Sequence, residues 1–356
     1  MSGDGNVQFD LVCNTTAAMC SRVKKVLFIA GECLNNVIEI KKPIVVSVKY
    51  YGFCHGNQTC WSSKLGETHQ SIMQLNGKYK DRMYPQALVK QLGPKEIKYG
   101  NFSLHDMVIS LNAEANFHIV GQVKHTSDTI QLLDTVAHEI LHGLGFDSTF
   151  QPLGADNLAM PSNLSSRKKH LIFVETIFDS RLYIRATDKP LTSIINKLNS
   201  LPHITNDDHL VLLHPPYIET IKELTTLLTT KGSIYFLTIN NRKVCIETGY
   251  TDFVPGSSVS HLDRAYGSTI EHIMIPSASG ENGLDSISRY IGWYTAPYGP
   301  LTLEVLATLG YTMKQPTWGH SLGGIVQLLR QEKEDLRIKS KQTFKPLDKP
   351  GKSKTR

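Results

Sequence analysis

"HEILHGLGFDS", residues 138–148 of a 356-residue chain, decides how the fold is read. It places histidines at 138 and 142 with a glutamate at 139. On an α-helix four residues turn through about 400°, so both imidazoles lie on one face, one turn apart. Both then reach one cation at about 2.0–2.1 Å from nitrogen. Glu139 lies beside them, where a carboxylate accepts the proton of a water whose pKa a zinc ion lowers from 15.7 to about 7. Gly145, three residues past His142, permits the sharp left-handed turn that ends a helix. Ser148 stands three residues further on, in register for a third ligand. Its hydroxyl is not ionised at neutral pH and is a poor zinc ligand. Two ligands and a base do not complete a site, so a third ligand must come from elsewhere.

The surroundings fit a helix at this point. Ile130, Leu133, Val136, Ala137, Ile140, Leu141 and Leu144 form one apolar side of a helix beginning near Thr129. "DTIQ" (128–131) supplies an N-cap with a capping-box glutamine, and Gly145 supplies the stop. Upstream, residues 21–40 carry apolar side chains at 23, 26, 27, 30, 34, 37 and 38, which is helical spacing. "KKPIVVSVKYYGF" (41–53) predicts a strand, and "HDMVISLNAEANF" (105–117) predicts another that leads into a polar loop. Downstream lie mixed short elements over 167–184 and 190–201, a hairpin about Asn240-Asn241, and a short helix over 298–313 stopped by Gly310.

Three further residues are candidates for the third ligand beside Ser148. Glu175, 33 residues past His142, suits a site of two histidines and a glutamate. His261 lies in "PGSSVSHLDRAYGSTIEHIMIPSAS" (255–279), thirteen residues before Met274 and its proline-closed turn Ile275-Pro276-Ser277. His272 sits inside that turn, two residues from Met274, and is a weaker candidate.

The series His138-Glu139-x-x-His142-x-x-Gly145-Phe146, a long insertion, a distant histidine and a methionine turn resembles the leishmanolysin-type branch of the metzincin zinc endopeptidases. The likeness is loose over residues 20–145 and closer over 255–313, where "YGPLTLEVLATLGY" (298–311) matches a short helix of those enzymes. Cysteines are fewer than in leishmanolysin, and no pro-segment with an inhibitory cysteine is found. The resemblance implies an α+β domain, metzincin-like, with a twisted mixed β-sheet and an active-site helix, over residues 1–318. An insertion at about 149–254 precedes the third ligand, and residues 319–356 form an extension with a basic tail. It also implies that His138, His142 and His261 hold zinc (Zn2+), that Met274 lies beneath the metal, and that Glu139 is the general base. The implied function is a metalloendopeptidase acting on a peptide or protein substrate. "HDMVISLN" becomes the edge strand, and Val108, Ser110 and Asn112 bind an extended peptide by strand addition; the alternative is a plain core strand with Val108 and Leu111 inside. The rival function is a catalytically inactive secreted binding or adhesion protein that keeps the metal for structure.

"GHSLGG" (319–324) matches the nucleophile elbow of serine hydrolases at Ser321. Those enzymes need an acid and a histidine after the serine, and no histidine follows Ser321. Composition is that of a globular chain, 40% hydrophobic and 20% charged. No apolar run reaches the 18 or so residues of a membrane span. The net charge of +6 resides in residues 339–356, where seven Lys/Arg meet one Asp; the remainder balances at 31 of each sign. The body therefore predicts no nucleic-acid surface. Cys13, Cys20, Cys33, Cys54, Cys60 and Cys245 allow 15 pairings. Short loops close most easily, which favours Cys13–Cys20, Cys54–Cys60 and, by remainder, Cys33–Cys245. Sequons at Asn14, Asn57, Asn101 and Asn163 point with the cysteines to a secretory compartment. The start "MSGDGNVQFD" holds no apolar signal segment. The expectation is a secreted protein with a truncated start; the alternative is a cytoplasmic chain.

Overall fold

The computed structural model describes residues 6–54, 64–75, 81–93, 101–119, 129–154, 158–167, 170–201, 212–277 and 297–314. Asp128, the Asn57 sequon, Cys60, Ser321 and the extension 319–356 lie outside the described residues.

The first part of the chain builds a four-stranded mixed sheet. Its strands are β1 (Val7–Cys13), β2 (Ile44–Tyr51), β3 (Gly66–Gln70) and β4 (Met107–Asn112), in the order β1-β2-β4-β3. β1, β2 and β4 run parallel, and β3 is antiparallel to β4. In β2 the buried residues Ile44, Val46, Val48 and Tyr50 alternate with more exposed ones, the period of two that a pleated strand imposes. Helix α1 (Ala17–Val37) begins at Thr16, whose hydroxyl accepts from Met19 N at 3.2 Å. It buries Val23, Val26, Leu27, Ala30, Leu34 and Val37, the valines and leucines each contributing about 1.5–3 kcal/mol of hydrophobic stabilisation. Helix α2 (Leu132–Gly143) carries the histidine pair and packs against α1, β3 and β4. Gly143 lets it approach β4 closely, since a Cβ there would lie 2.1 Å from Met107 Sδ.

Helix α2 starts three residues later than the capping pattern predicts. Ile130 and Gln131 pair in parallel with Phe117 and His118, and a residue committed to a strand ladder cannot also open a helix. The end of α2 follows expectation. Gly145 has φ 101°, its N–H donates to His142 O at 2.9 Å, and Phe146 N–H donates to Leu141 O at 3.0 Å. A Cβ on Gly145 would also lie 2.5 Å from Pro85 Cγ.

A second correction concerns the sheet edge. β4 lies between β2 and β3, with Val108 opposite both Ser47 and His69. Both sides of the strand that holds Val108, Ser110 and Asn112 are therefore paired, so it is not open to a peptide. Asn112 is fully buried, and its Oδ1 accepts from Phe53 N and Glu114 N. The edge position belongs to β3, "GETHQ", a polar strand without the apolar alternation that marks β4.

Residues 182–245 contain an antiparallel sheet of β5 (Leu182–Ile184), β6 (Lys189–Pro190), β7 (Ile234–Leu237) and β8 (Lys243–Cys245), in the order β6-β5-β7-β8. Helices α3 (Thr192–Asn199) and α4 (Tyr217–Thr229) accompany it. The β7–β8 hairpin turns at Asn241, φ 59°, as predicted. Its core is continuous with the first part: the Phe178 ring lies 5.2 Å from that of Phe146 and 5.1 Å from that of Phe236. The last described helix, α5 (Pro300–Leu309), stops at Gly310, φ 121°. Among the described residues no helix is long and apolar enough to cross a membrane.

Cys13 and Cys20 form a disulfide, and Cys54 is disulfide-bonded. The Cys33–Cys245 pairing does not occur; both are free thiols. Cys33 is buried on the core side of α1, and burial pushes its thiol up to about 12. Cys245 lies on β8, where its Sγ accepts from Arg185 Nη2 at 3.0 Å. Of the sequons, Asn14 and Asn101 are exposed, whereas Asn163 donates through Nδ2 to Thr149 Oγ1 at 2.7 Å.

Candidate metal centre

His138, His142 and His261 come together as the one group of three or more potential metal ligands among the described residues. Their Nε2 atoms form a triangle with sides of 3.0 Å (His138–His142), 3.2 Å (His138–His261) and 3.3 Å (His142–His261). Each ring is held from its other nitrogen. Nδ1 of His138 donates to Ile273 O at 2.6 Å, that of His142 to Phe146 O at 2.8 Å, and that of His261 to Ser257 O at 3.1 Å. A carbonyl only accepts, so each Nδ1 carries the proton and each Nε2 presents a lone pair. Three lone pairs cannot bond to one another, but they suit a shared cation. Tetrahedral zinc with bonds of about 2.0–2.1 Å separates its nitrogen ligands by about 3.3–3.4 Å, close to the observed triangle. Burial holds all three imidazoles below the usual histidine range, and burial followed by the neighbouring His138 brings His142 down to about 4. They are thus neutral at physiological pH, the form a metal requires.

The chain brings His261 back to α2 by closing residues 148–260 into a loop whose ends meet. Ser148 N–H donates to Ser260 Oγ at 3.2 Å, so the residue where the short motif ends touches the residue before the third histidine. His261 O accepts from Glu247 N at 2.9 Å, and Leu262 N–H donates to Met274 O at 2.8 Å. Val259, two residues before His261, has φ 68°. A β-branched residue there costs on the order of 1–3 kcal/mol, which the surrounding hydrogen bonds must offset.

Met274 is fully buried in a single 3-10 turn, His272–Met274, that packs against α2. Its neighbour Ile273 supplies the carbonyl for His138. Glu271 anchors the turn: its carboxylate accepts from Leu301 N at 2.8 Å and from Thr302 N and Thr302 Oγ1 at 3.0 Å each. These are the first residues of α5, so Glu271 ties the turn to a helix N-terminus. The other proposed ligands fall elsewhere. His272 donates to Thr269 O at 3.1 Å, and Glu175 accepts from Thr192 Oγ1 at 2.9 Å while burial pushes it up to about 7. Ser148 takes part through its backbone.

Glu139 is 5% exposed. Its Oε2 lies 2.6 Å from Thr68 Oγ1, which donates to it, and a Cβ on Gly66 would lie 2.8 Å from its Oε1. Burial raises its pKa, opposed by His142 and by the Thr68 hydrogen bond. On the same side of β3, Gln70 Nε2 donates to Asp147 Oδ2 at 3.3 Å. Sequence reasoning missed Gly66, Thr68, Ser260 and Glu271. A strand's period of two sets Gly66, Thr68 and Gln70 on one side, but "GETHQ" carries no apolar alternation that would mark it as a strand.

A family model described as SPBPB7E8-like matches residues 2–323. The chain is 31% identical over 152 residues to "Uncharacterized protein PB7E8.01" of Schizosaccharomyces pombe, a match covering 40% of this chain and 26% of that protein. No solved structure matches.

Proposed function

The chain belongs to the SPBPB7E8-like family, and we propose that it is a zinc-dependent endopeptidase with a metzincin-like catalytic domain. The observation that carries this reading is the convergence of three Nε2 lone pairs from His138, His142 and His261, each fixed through Nδ1 by a backbone carbonyl. Three neutral histidines suit catalytic zinc, whose fourth position a water or substrate takes. When bound, zinc supplies Lewis acidity that brings a coordinated water to a pKa of about 7 and polarises a carbonyl. His138, His142 and His261 would hold the ion, and Met274 packs in the turn that orients His138. Glu139 accepts a proton at its carboxylate and passes it to the leaving amine. Among the described residues β3 is an edge strand, and its outer side offers backbone groups to an extended peptide, the role first assigned to β4. The Cys13–Cys20 disulfide supports an oxidising, secretory location.

A second reading, a binding protein with a structural metal, draws on the burial of Glu139 beneath β3. Metal analysis with cleavage of a quenched-fluorescent peptide library separates the two. The peptidase reading expects one zinc per chain, cleavage abolished by a chelator, and a Glu139→Ala variant that keeps zinc and loses at least about 100-fold in rate. Cleavage by Glu139→Ala at the parental rate contradicts it, and a zinc-replete parent that cleaves nothing favours the second reading.

A further inference from the structure

A general base must present its proton-accepting oxygen in a fixed direction, and displacements of about 1 Å at an active site cost on the order of 100-fold in rate. A glutamate side chain has three torsions and does not fix itself. Two residues of the edge strand do so for Glu139. Thr68 Oγ1 lies 2.6 Å from Oε2 and 3.0 Å from the Glu139 carbonyl oxygen. Gly66 stands two residues earlier on the same side of β3, where a Cβ would come within 2.8 Å of Oε1 and 3.2 Å of Cδ. The strand is itself held in register by β4, with Thr68 opposite Ile109 and Gly66 opposite Leu111. One oxygen of the carboxylate is thus tied to a hydroxyl, and the other faces the space that a missing side chain leaves.

We propose that Thr68 is a positioning residue for Glu139: its hydroxyl holds Oε2, so that Oε1 is the oxygen that takes and returns the proton, and the missing side chain of Gly66 leaves the room that Oε1 occupies. The assignment rests on the reading of Glu139 as the base. It makes the edge strand part of the catalytic apparatus.

The test uses the zinc-loaded full chain with Thr68→Val and Thr68→Ser. Valine keeps the shape and removes the donor. It is expected to lower kcat about 10- to 100-fold with KM within about threefold and zinc content intact, because the loss is in orientation and not in binding. Serine restores the hydroxyl and is expected to recover kcat to within about threefold of the parent. Valine as fast as the parent, or serine as slow as valine, overturns the proposal. A second readout needs neither metal nor activity. In chelator-treated protein, Thr68→Val, Glu139→Ala and the double variant form a cycle in the unfolding equilibrium, and a charge-assisted hydrogen bond is expected to appear as a coupling of about tenfold or more. Effects that multiply to within about twofold overturn the contact. A zinc-loaded parent that cleaves no peptide brings down the base assignment and the positioning role together. A parent that cleaves, with a Thr68→Val variant equally active, removes Thr68 alone.

Discussion

Glu271 is the anchor by which the fold holds the turn that orients His138, and replacing it with glutamine weighs that anchor. The carboxylate accepts three hydrogen bonds at 2.8–3.0 Å from the first residues of α5, and the residue is 4% exposed. Glutamine retains one acceptor oxygen and turns an NH2 group towards an N–H donor, so at least one bond is lost and its partner is left buried. A charge-assisted bond contributes about 1.5–3 kcal/mol, and the negative charge at a helix N-terminus adds about 0.3–1 kcal/mol. Glu271→Gln should therefore cost about 3 kcal/mol. For a chain of this size that is a fall of about 6 °C in Tm at roughly 2 °C per kcal/mol, read by thermal unfolding of the metal-free protein. The same loosening frees Ile273 O, the acceptor that sets the His138 ring. Loss of such an outer partner weakens metal binding about 10- to 100-fold, measured by competition with a chromophoric chelator. A variant with Tm within about 1 °C of the parent and zinc affinity within twofold would refute the anchoring role.

Two further perturbations test the packing around the site. Asp147 is pushed up to about 7, first by burial, with the Ser260 hydrogen bond opposing and Asp179 adding to the rise. Its folded pKa lies above the unfolded value, so the stability it contributes is full below about pH 4 and is lost as the pH rises through 7. Asp147→Asn should raise stability by about 2 kcal/mol at pH 8, after discounting for partial exposure, and change little at pH 4; equal shifts at both pH values contradict the assignment. Gly143→Ala is favourable by helix propensity, yet its Cβ would lie 2.1 Å from Met107 Sδ and 2.9 Å from Met107 Cβ. Overpacking of about 1–3 kcal/mol should outweigh a gain of at most about 1 kcal/mol, and a rise in Tm would show that α2 does not pack as described.

The sequence made the local part of the site legible, because two histidines four apart on an apolar-sided helix define one face whatever the rest of the fold does. Gly145 was legible for a similar reason: its position after the helix demands positive φ, and it has it. His261 came from a resemblance, since no local periodicity links residues 123 apart. Partners across a sheet were not legible. The apolar alternation of "HDMVISLN" announces a strand but not its neighbours, and the polar "GETHQ" that covers its side gives too weak a pattern to be placed. Cysteine arithmetic failed for Cys33 and Cys245 because an even count does not require every thiol to pair, and a core helix face suits a free thiol. The Ser148–Ser260 contact closes a long stretch of chain whose length carries no sign of where its ends meet.

The central claim is that the fold brings His261 to the His138–His142 pair to hold one metal ion. Zinc stoichiometry and affinity of the parent and of His261→Ala, measured side by side at matched free zinc, test it most directly. The account predicts one tightly held ion per chain in the parent and a loss of at least about 100-fold in affinity in the variant, as one of three ligands is removed. A His261→Ala protein that binds zinc with the parental stoichiometry and affinity would contradict it.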